Sequence, residues 1–270
     1  MKSVNNIRKI TKAMKMISSM KMTGELKRLQ NGKNFGVSSV DMIFKTDTYL
    51  QKKIVDATNN PRELLVPLTS DKGLCGSINS GIVRNVRDYL AVRDRSRCEI
   101  FTIGEKGASA MTRSYKDILK IGISGISTPY NYPTVMALSE HIIAAGSSAD
   151  KIILFYNEYK SAISTEIRLM ELMPRQRFLD NMKYCRLYSM KLPDSNTAHQ
   201  ALYELYVTSN LWVAFLNNSA SEQSARMNAM ENASKNAGEI LDALRTQYNK
   251  ARQARITIEL VEIISGASAV

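Results

Sequence analysis

The sequence predicts an α/β fold in which long N- and C-terminal helices form an antiparallel coiled coil, with an α/β domain inserted between them. Three observations predict it. Apolar residues recur at three- and four-residue steps near both ends of the chain, as on one face of a helix. Short β-rich runs alternate with helical runs in the middle, which favours a parallel sheet. No proline follows Pro193, so no helix breaker interrupts the last part of the chain.

The N-terminal helix is predicted from a stripe of apolar residues that is continued by Met22, Leu26 and Leu29 after a shift typical of a coiled-coil stutter. Residues 1–35 contain nine basic residues against Glu25 alone, so their net charge is +8. Such a charge indicates an acidic partner, which could be nucleic acid, anionic lipid or an acidic protein surface. The first part of the stripe consists of Val4, Ile7, Ile10, Met14 and Ile17.

The middle of the chain predicts a mainly parallel sheet. Strand-like runs occupy residues 63–70, 97–104 and 151–159, and a further strand at 161–174 is expected to pair with the last of these. Residues 175–200 are predicted to connect this domain to the last helix. The helix-like runs between the strands are 80–92, 105–114 and 133–146.

The C-terminal helix is predicted from about residue 200 to 265, which corresponds to roughly 100 Å. A rod of that length must lie against another element, inside this chain or outside it. The simplest arrangement is an antiparallel pair with the N-terminal helix, brought together by the inserted domain. Apolar and small residues follow the 3.5-residue period of a left-handed coiled coil at Met227, Met230, Ser234, Ala237, Leu241, Leu244, Tyr248 and Ala251.

The composition fits a protein with a substantial core and a basic surface. Hydrophobic residues make up 44% of the 270 residues, and the formal net charge is +12. No run approaches the roughly 18 apolar residues of a membrane span. The basic N-terminus resembles a transit peptide, but its helical pattern continues past residue 26, which favours an ordinary long helix. Three distant cysteines and two histidines predict neither a disulfide framework nor a metal site.

The stretch "TSDKGLCGSINS" (69–80) follows an apolar run, as phosphate loops and nucleophile turns do. It matches neither the Walker pattern nor GxGxxG, and Cys75 has no histidine nearby in sequence to act as a base. We therefore predict a tight strand-to-helix turn made possible by Gly73 and Gly76, with Ser77 or Asn79 capping the next helix. The adjacent charges Asp71 and Lys72 are expected to be solvated. No catalytic residue and no cofactor site is predicted.

Four segments resemble, in order, the γ subunit of the F-type ATP synthase, and the match extends over essentially the whole chain. They are "IRKITKAMKMISSMKM" (7–22), "SDKGLCGSIN" (70–79), "SEQSARMNAMENASKNAGEIL" (221–241) and "YNKARQARITIELVEIISGASAV" (248–270). The resemblance implies a rotor shaft, formed by helices within 1–60 and 196–270, inside a hexamer of alternating α and β subunits. It implies a Rossmann-like domain at 61–195, at the foot, beside a membrane ring of c subunits. Nucleotide chemistry would take place in the β subunits.

The resemblance also implies roles for individual residues. Arg252, Gln253 and Thr257 match a stretch that contacts a catch loop of the β subunit. Met14 corresponds to a residue facing the lower part of β, and Lys21 to one facing the acidic β lever. On the c-ring side the corresponding residues are Tyr188, Pro193 and Asp194. The loop residues that mark the family are Asp71, Lys72, Gly73, Cys75 and Gly76.

The partners implied by the resemblance are the α3β3 hexamer, the c ring and small central-stalk subunits of the δ or ε type. Contact with the membrane would be peripheral, through the c ring, on the matrix side of the mitochondrial inner membrane or, alternatively, the cytoplasmic face of a bacterial plasma membrane. Two rival hypotheses differ in class. One is a basic coiled-coil protein that binds nucleic acid through residues 1–35, and the other is a small nucleotide-binding enzyme built on the middle domain.

Overall fold

A computed structural model of the chain describes residues 1–44, 61–182 and 196–268, with side chains described for 1–36, 61–179 and 197–268. Two long helices lie at the ends and a five-stranded sheet lies between them, which confirms the predicted fold class. The helices are α1 (Lys2–Phe44), α2 (Ile78–Ala91), α3 (Glu105–Ser114), α4 (Tyr132–Ala145), α5 (Arg175–Met182) and α6 (Asn196–Ala267). The strands are β1 (Glu63–Pro67), β2 (Cys98–Ile103), β3 (Leu119–Ile123), β4 (Lys151–Tyr159) and β5 (Thr165–Leu172).

The sheet has the strand order β3-β2-β1-β4-β5. The first four strands are parallel, and β5 pairs antiparallel with β4 as predicted. Helices α2 and α3 cover one face through Ile82, Val86 and Met111, which pack with the strand residues Leu65 and Phe155. Helices α4 and α6 cover the other face. The domain is therefore a three-layer α/β structure, as buried parallel strands require.

Helix α6 belongs to both the domain and the shaft. It contains 72 residues, which gives a length of about 110 Å. In its first part Tyr206, Val207, Leu211 and Phe215 are buried in the core against the sheet and α4. Further along, Leu216 and Ala220 pack against Leu29 of α1. The same rigid element thus forms one layer of the domain and one half of the coiled coil.

The domain also holds α1 directly. Arg28 donates a hydrogen bond to the carbonyl oxygen of Tyr130, and its guanidinium lies 6.0 Å from the centroid of the Trp212 ring. Phe35 of α1 meets Tyr132 edge to face with ring centroids 5.9 Å apart. The Trp212 ring also meets Tyr132 of α4 edge to face at 5.7 Å, so it links α6, α4 and α1.

Helices α1 and α6 run antiparallel with a regular register. Lys15 Nζ lies 2.6 Å from Glu231 Oε1, and the Arg8 side chain lies beside Gly238. Seven residues therefore separate successive contacts on both helices, which is the heptad repeat of a coiled coil. On α1 the buried and half-buried seam positions alternate in steps of four and three: Thr11, Lys15, Ser18, Met22, Glu25, Leu29, Gly32 and Gly36.

The predicted seam of α1 is wrong for three residues of its first part, although Val4 and Met14 are half-buried. Ile7, Ile10 and Ile17 are each half or more exposed, while Thr11 and Ser18 are buried between the helices. Met16 and Met20 are also exposed. The alternation of four and three continues without interruption, so α1 contains no stutter. Small seam residues let the helices approach closely, and the large apolar side chains remain on the outside.

The predicted seam of α6 is confirmed as far as Leu244. Met230, Ala237 and Leu241 are buried. Continuing the register for two heptads beyond Lys15 and Glu231 places Met1 opposite Arg245. From Arg245 to Ser268 every residue is exposed, so the prediction is wrong for Tyr248 and Ala251. The last part of α6 extends beyond α1 as a single helix.

Two elements of the domain differ from the predictions. Strand β3 was not among the predicted strands, and it is a five-residue strand at the edge of the sheet. Residues 175–200, predicted as a connection, contain helix α5 at Arg175–Met182, and α6 begins at Asn196. Tyr188, Pro193 and Asp194 lie outside the described residues.

The close approach of the two long helices can be tested at Gly36. A Cβ atom there would clash with Val213 Cγ2 and lie 3.2 Å from the carbonyl oxygen of Ser209. We expect Gly36→Ala to lower the free energy of unfolding of the full chain by about 1–3 kcal/mol, measured by urea denaturation.

Gly24→Ala is the matched control, because no atom lies within 4 Å of its Cβ position. It should raise stability by up to about 1 kcal/mol through helix propensity. Equal effects of the two substitutions would contradict the packing described for Gly36.

Candidate functional site

The place where a doubly wound sheet usually binds its ligand is filled by the chain itself. The strand order reverses between β1 and β4, and ligands bind such folds at the carboxyl ends of these strands. Here Asn157, near the end of β4, donates from Nδ2 to Asn218 Oδ1 at 2.9 Å. Ser221 Oγ donates to the carbonyl oxygen of Asn157 at 3.2 Å. Helix α6 therefore occupies the crevice that a nucleotide would need.

In the loop after β1, the carboxylate of Asp71 fills the position where the domain could otherwise bind an anion. Asp71 Oδ1 accepts a hydrogen bond from the backbone N–H of Glu105 at 2.8 Å, and its Oδ2 accepts one from Ile126 N–H at 3.0 Å. A free N–H at the start of α3 could otherwise bind a phosphate. Asp71 is thus a structural ligand of the backbone, not the solvated charge that was predicted. Lys72 is exposed as expected.

A cavity of about 370 Å³ remains beside this loop. Asp71 and Glu222 both line it, together with Lys72 and Tyr130. Lys72 is the basic side chain in this lining and Asp71 offsets its charge, so the cavity offers no net positive charge to a phosphate-bearing ligand. The geometry of the domain therefore gives no support to the rival hypothesis of a nucleotide-binding enzyme.

Cys75 is a buried packing residue. Its Sγ lies 3.2 Å from Asn79 Nδ2 and 3.7 Å from Ser70 Oγ. Burial is the largest influence on this thiol and raises its pKa, which opposes formation of the nucleophilic thiolate. Neither histidine is among its hydrogen-bond partners. The surroundings of Cys75 agree with the interpretation of the loop as a tight corner.

The corner is built differently from the prediction. Gly76 has a positive φ of 62°, but the other left-handed residue is Leu74, also at 62°, and not Gly73. Helix α2 begins at Ile78 after Ser77, whose side chain makes no capping hydrogen bond. Asn79 accepts a hydrogen bond from Ser70 N–H at 3.0 Å and so closes the loop. Ser77 therefore stands at the predicted N-cap position without capping through its side chain, and the alternative, Asn79, lies within the helix.

The loop is tied to the shaft by Arg226, which also forms a buried ion pair within α6. Arg226 Nη2 lies 2.6 Å from Glu222 Oε1, and it also donates to the carbonyl oxygen of Gly73 at 3.3 Å. The two side chains are only 10% and 6% exposed. Burial raises the pKa of Glu222, while the charge of Arg226 acts in the opposite direction. Sequence reasoning missed this pair, although the four-residue spacing of Glu222 and Arg226 on one helix was visible.

The sequence-predicted contact residues lie along the shaft. Arg252, Gln253 and Thr257 are all exposed on the single-helix part of α6, where Thr257 Oγ1 donates to the Gln253 carbonyl oxygen at 2.9 Å. Met14 is half-buried and Lys21 is exposed on α1. The first three residues lie where α6 is a single helix, whereas Met14 and Lys21 lie where α1 and α6 are paired. The two groups therefore do not form one site. Tyr188 and Asp194 lie outside the described residues.

The paired part of the shaft and the last turns of α6 differ in the kind of side chain they expose. A groove of about 730 Å³ between α1 and α6 is lined by basic residues on both helices and by Glu231. The last turns of α6 instead carry exposed apolar side chains. The basic residues are Arg8, Lys9, Lys12, Lys15 and Lys235, and the apolar ones include Ile256, Ile258, Leu260, Val261, Ile263 and Ile264.

Two further kinds of feature are absent from the described residues. No group of three or more histidine, cysteine, aspartate or glutamate side chains in this part of the chain could hold a metal ion. None of the described helices is long and apolar enough to cross a membrane. The features that remain are a rod with exposed apolar and basic surfaces and a domain whose crevice its own helix fills. They define a class of protein: a helical shaft carried on a three-layer domain.

Comparisons with known proteins give the family. The ATP synthase family model matches residues 1–270. The mitochondrial ATP synthase subunit gamma of Drosophila melanogaster is 33% identical over 270 residues, covering 100% of this chain and 88% of that protein. That of Arabidopsis thaliana is 34% identical over 280 residues, covering 100% and 83%. The chain therefore belongs to the ATP synthase family, as a central-stalk subunit of the gamma type and not a catalytic one.

Solved structures agree. A chain in the central stalk and c-ring structure of the Tetrahymena thermophila mitochondrial ATP synthase has a TM-score of 0.70 and 42% identity. The match covers 83% of this chain and 99% of that one. A chain of the Euglena gracilis enzyme, at 21% identity and a TM-score of 0.68, covers 99% of this chain and supports the fold alone. The resemblance noted from the sequence is confirmed.

The buried ion pair between Arg226 and Glu222 can be tested by substitution. Arg226→Met should lower the free energy of unfolding by about 3–5 kcal/mol, because it leaves the Glu222 carboxylate buried without its partner. Adding Glu222→Leu should restore most of the loss. Arg245→Met is the control: it breaks an exposed pair with Asp242, and should cost less than about 1 kcal/mol.

The same pair predicts a pH dependence. Because burial raises the pKa of Glu222 in the folded chain, its contribution to stability is fully present below the ordinary carboxyl pKa and is lost as the pH rises through the raised value. Arg226→Met should enlarge that loss, as measured by urea denaturation from pH 4 upward. A pH profile parallel to that of the unsubstituted chain would contradict the assignment.

Proposed function

We propose that this chain transmits rotation from a membrane c ring to a hexamer of alternating α and β subunits, with no catalytic site of its own. One observation carries the proposal: α6 runs without a break from the core of the domain to the exposed helix that bears Arg252. A torque applied to the domain would therefore reach the far end of the shaft. Different faces of the shaft would favour different β conformations by making different contacts with them.

This role assigns a position in the complex to each part of the chain. Residues 1–60 and 196–270 would contribute the shaft, and residues 61–195 the Rossmann-like domain at the foot. Tyr188 and Asp194 would lie toward the c ring. Small central-stalk subunits of the δ or ε type would complete the foot. We place the complex at the mitochondrial inner membrane, with this chain on the matrix side.

Different parts of the shaft surface suit contacts with different parts of the β subunits. Lys21 and the basic groove between α1 and α6 suit the acidic lever of the β subunits, because their net charge is strongly positive. Arg252, Gln253 and Thr257 would contact the catch loop, and Met14 the lower part of β. The loop marked by Asp71, Lys72, Gly73, Cys75 and Gly76 would face the lower edge of the β subunits.

The rival hypothesis of nucleic-acid binding has less support. The basic residues of α1 lie beside exposed isoleucines and methionines. Single-stranded nucleic acid is bound on aromatic stacking platforms, and the groove between α1 and α6 is lined by no aromatic side chain. A mixed apolar and basic face suits a protein partner better.

The proposal is tested by isolating the chain from native membranes. We expect a native-gel complex with about one copy of this chain for three copies of each hexamer subunit. A free monomer in the native lysate would contradict the proposal.

The catch-loop assignment is tested by Arg252→Ala combined with Gln253→Ala. We expect ATP synthesis to fall at least about tenfold with assembly unchanged, because loss of the one charge-assisted hydrogen bond that Arg252 would make costs about 1.5–3 kcal/mol. The control is Arg87→Ala with Asp88→Ala, an exposed pair on α2. Unchanged synthesis in the first variant, measured in membrane vesicles beside the control, would exclude the assignment.

A further inference from the structure

Two turns at the carboxyl edge of the sheet are tied to opposite sides of α6, where the shaft leaves the domain. Arg226 donates to the carbonyl oxygen of Gly73 in the loop after β1. Ser224 Oγ and Asn228 Nδ2 each donate to the carbonyl oxygen of Ala162 at 2.7 Å, in the turn between β4 and β5. With 3.6 residues per turn, Arg226 points away from the side that Ser224 and Asn228 share. The turns therefore flank the shaft.

Each turn presents an apolar side chain to solvent. Ile163 is 90% exposed and Leu74 is 63% exposed. The β4–β5 turn is well ordered by its own hydrogen bonds, since Ser161 N–H donates to the Ser164 carbonyl at 3.0 Å and Ser161 Oγ accepts from Ser164 N–H at 3.1 Å. Leu74 has a positive φ, which is costly for a bulky residue. The surrounding loop must therefore hold Leu74 in this conformation.

We propose that Ile163 is a contact point with the lower rim of the subunit ring that surrounds the shaft, opposite the contact made by the loop at Leu74. The two tips together would fix the depth to which the shaft enters the ring. This inference rests on the proposed function, which supplies the ring. It goes beyond that function by assigning a role to the β4–β5 turn, which carries none of the sequence-predicted contact residues.

The position of the tips favours the ring as the partner. Both tips lie where α6 emerges from the domain, so a body that encloses the exposed helix beyond them meets the tips first. A partner on one side of the domain would need one tip, whereas a ring reaches both sides. The partner surface would be apolar at the tips, and acidic beside Leu74, since the exposed lysines Lys72 and Lys106 flank that loop.

The test is site-specific photo-crosslinking in the assembled complex, with a benzophenone amino acid at one position at a time. Position 163 is the test position. Position 256, an exposed isoleucine on the single helix, reports the proposed function. Position 92 is the matched negative control, because Val92 is 87% exposed but lies at the far end of α2, at the opposite edge of the domain.

We expect crosslinks to ring subunits from positions 163 and 256, and none from position 92. A crosslink from 256 without one from 163 would overturn this inference and leave the proposed function intact. A crosslink from 163 to the c ring, to a small stalk subunit or to a second copy of this chain would also overturn it. No crosslink to the ring from 256 would overturn both.

A substitution gives an independent measure. Ile163→Asp should weaken binding of the chain to the isolated ring about tenfold, which is the effect of removing one well-buried apolar side chain from an interface. Val92→Asp should leave the affinity unchanged. Equal affinities of the two variants would contradict the role of Ile163.

Discussion

The packing of α6 against both the sheet and α1 is the constraint on which the rest of the structure depends. Buried aromatic and aliphatic residues between Tyr203 and Phe215 fix this helix in the domain core. Leu216 and Ala220 continue the same helix into the coiled coil beside Leu29. No hinge separates the two roles within Asn196–Ala267. The domain and the shaft must therefore move as one body, and the crevice of the doubly wound sheet is lost to ligands because α6 crosses it.

On the α1 side of the shaft, several seam positions are selected for small side chains and not for hydrophobic ones. Thr11, Ser18 and Gly36 lie in the seam, where close approach of the two backbones requires small side chains. Ile10 and Ile17 remain on the outer surface. An ordinary soluble coiled coil places large apolar residues inside. The small seam residues at Thr11 and Ser18 leave Ile10 and Ile17 on the surface for contacts with surrounding subunits, whereas Leu29, Met230 and Leu241 remain inside.

Much of the fold was predictable from the sequence, and the failures share a physical cause. Strands β1, β2 and β4 are dense runs of apolar and β-branched residues, whereas the edge strand β3 is short and contains Gly122. The seam of α1 was misassigned because periodicity records apolar residues, while close helix packing selects small ones. The role of Asp71 depends on the backbone N–H groups of Glu105 and Ile126, which are distant in sequence. Residue patterns pointed to an acidic partner, but only family resemblance assigned Arg252 and Gln253 to a contact.

The claim that domain and shaft act as one body is tested most directly by a disulfide between α1 and α6. A Cβ atom at Gly36 would lie 3.7 Å from Val213 Cβ, which suits a disulfide. In a complex carrying Gly36→Cys and Val213→Cys, the rate of ATP synthesis should be the same with the bond oxidised or reduced. Loss of synthesis on oxidation, restored by a reductant, would show that the helices must move relative to each other and would contradict the account.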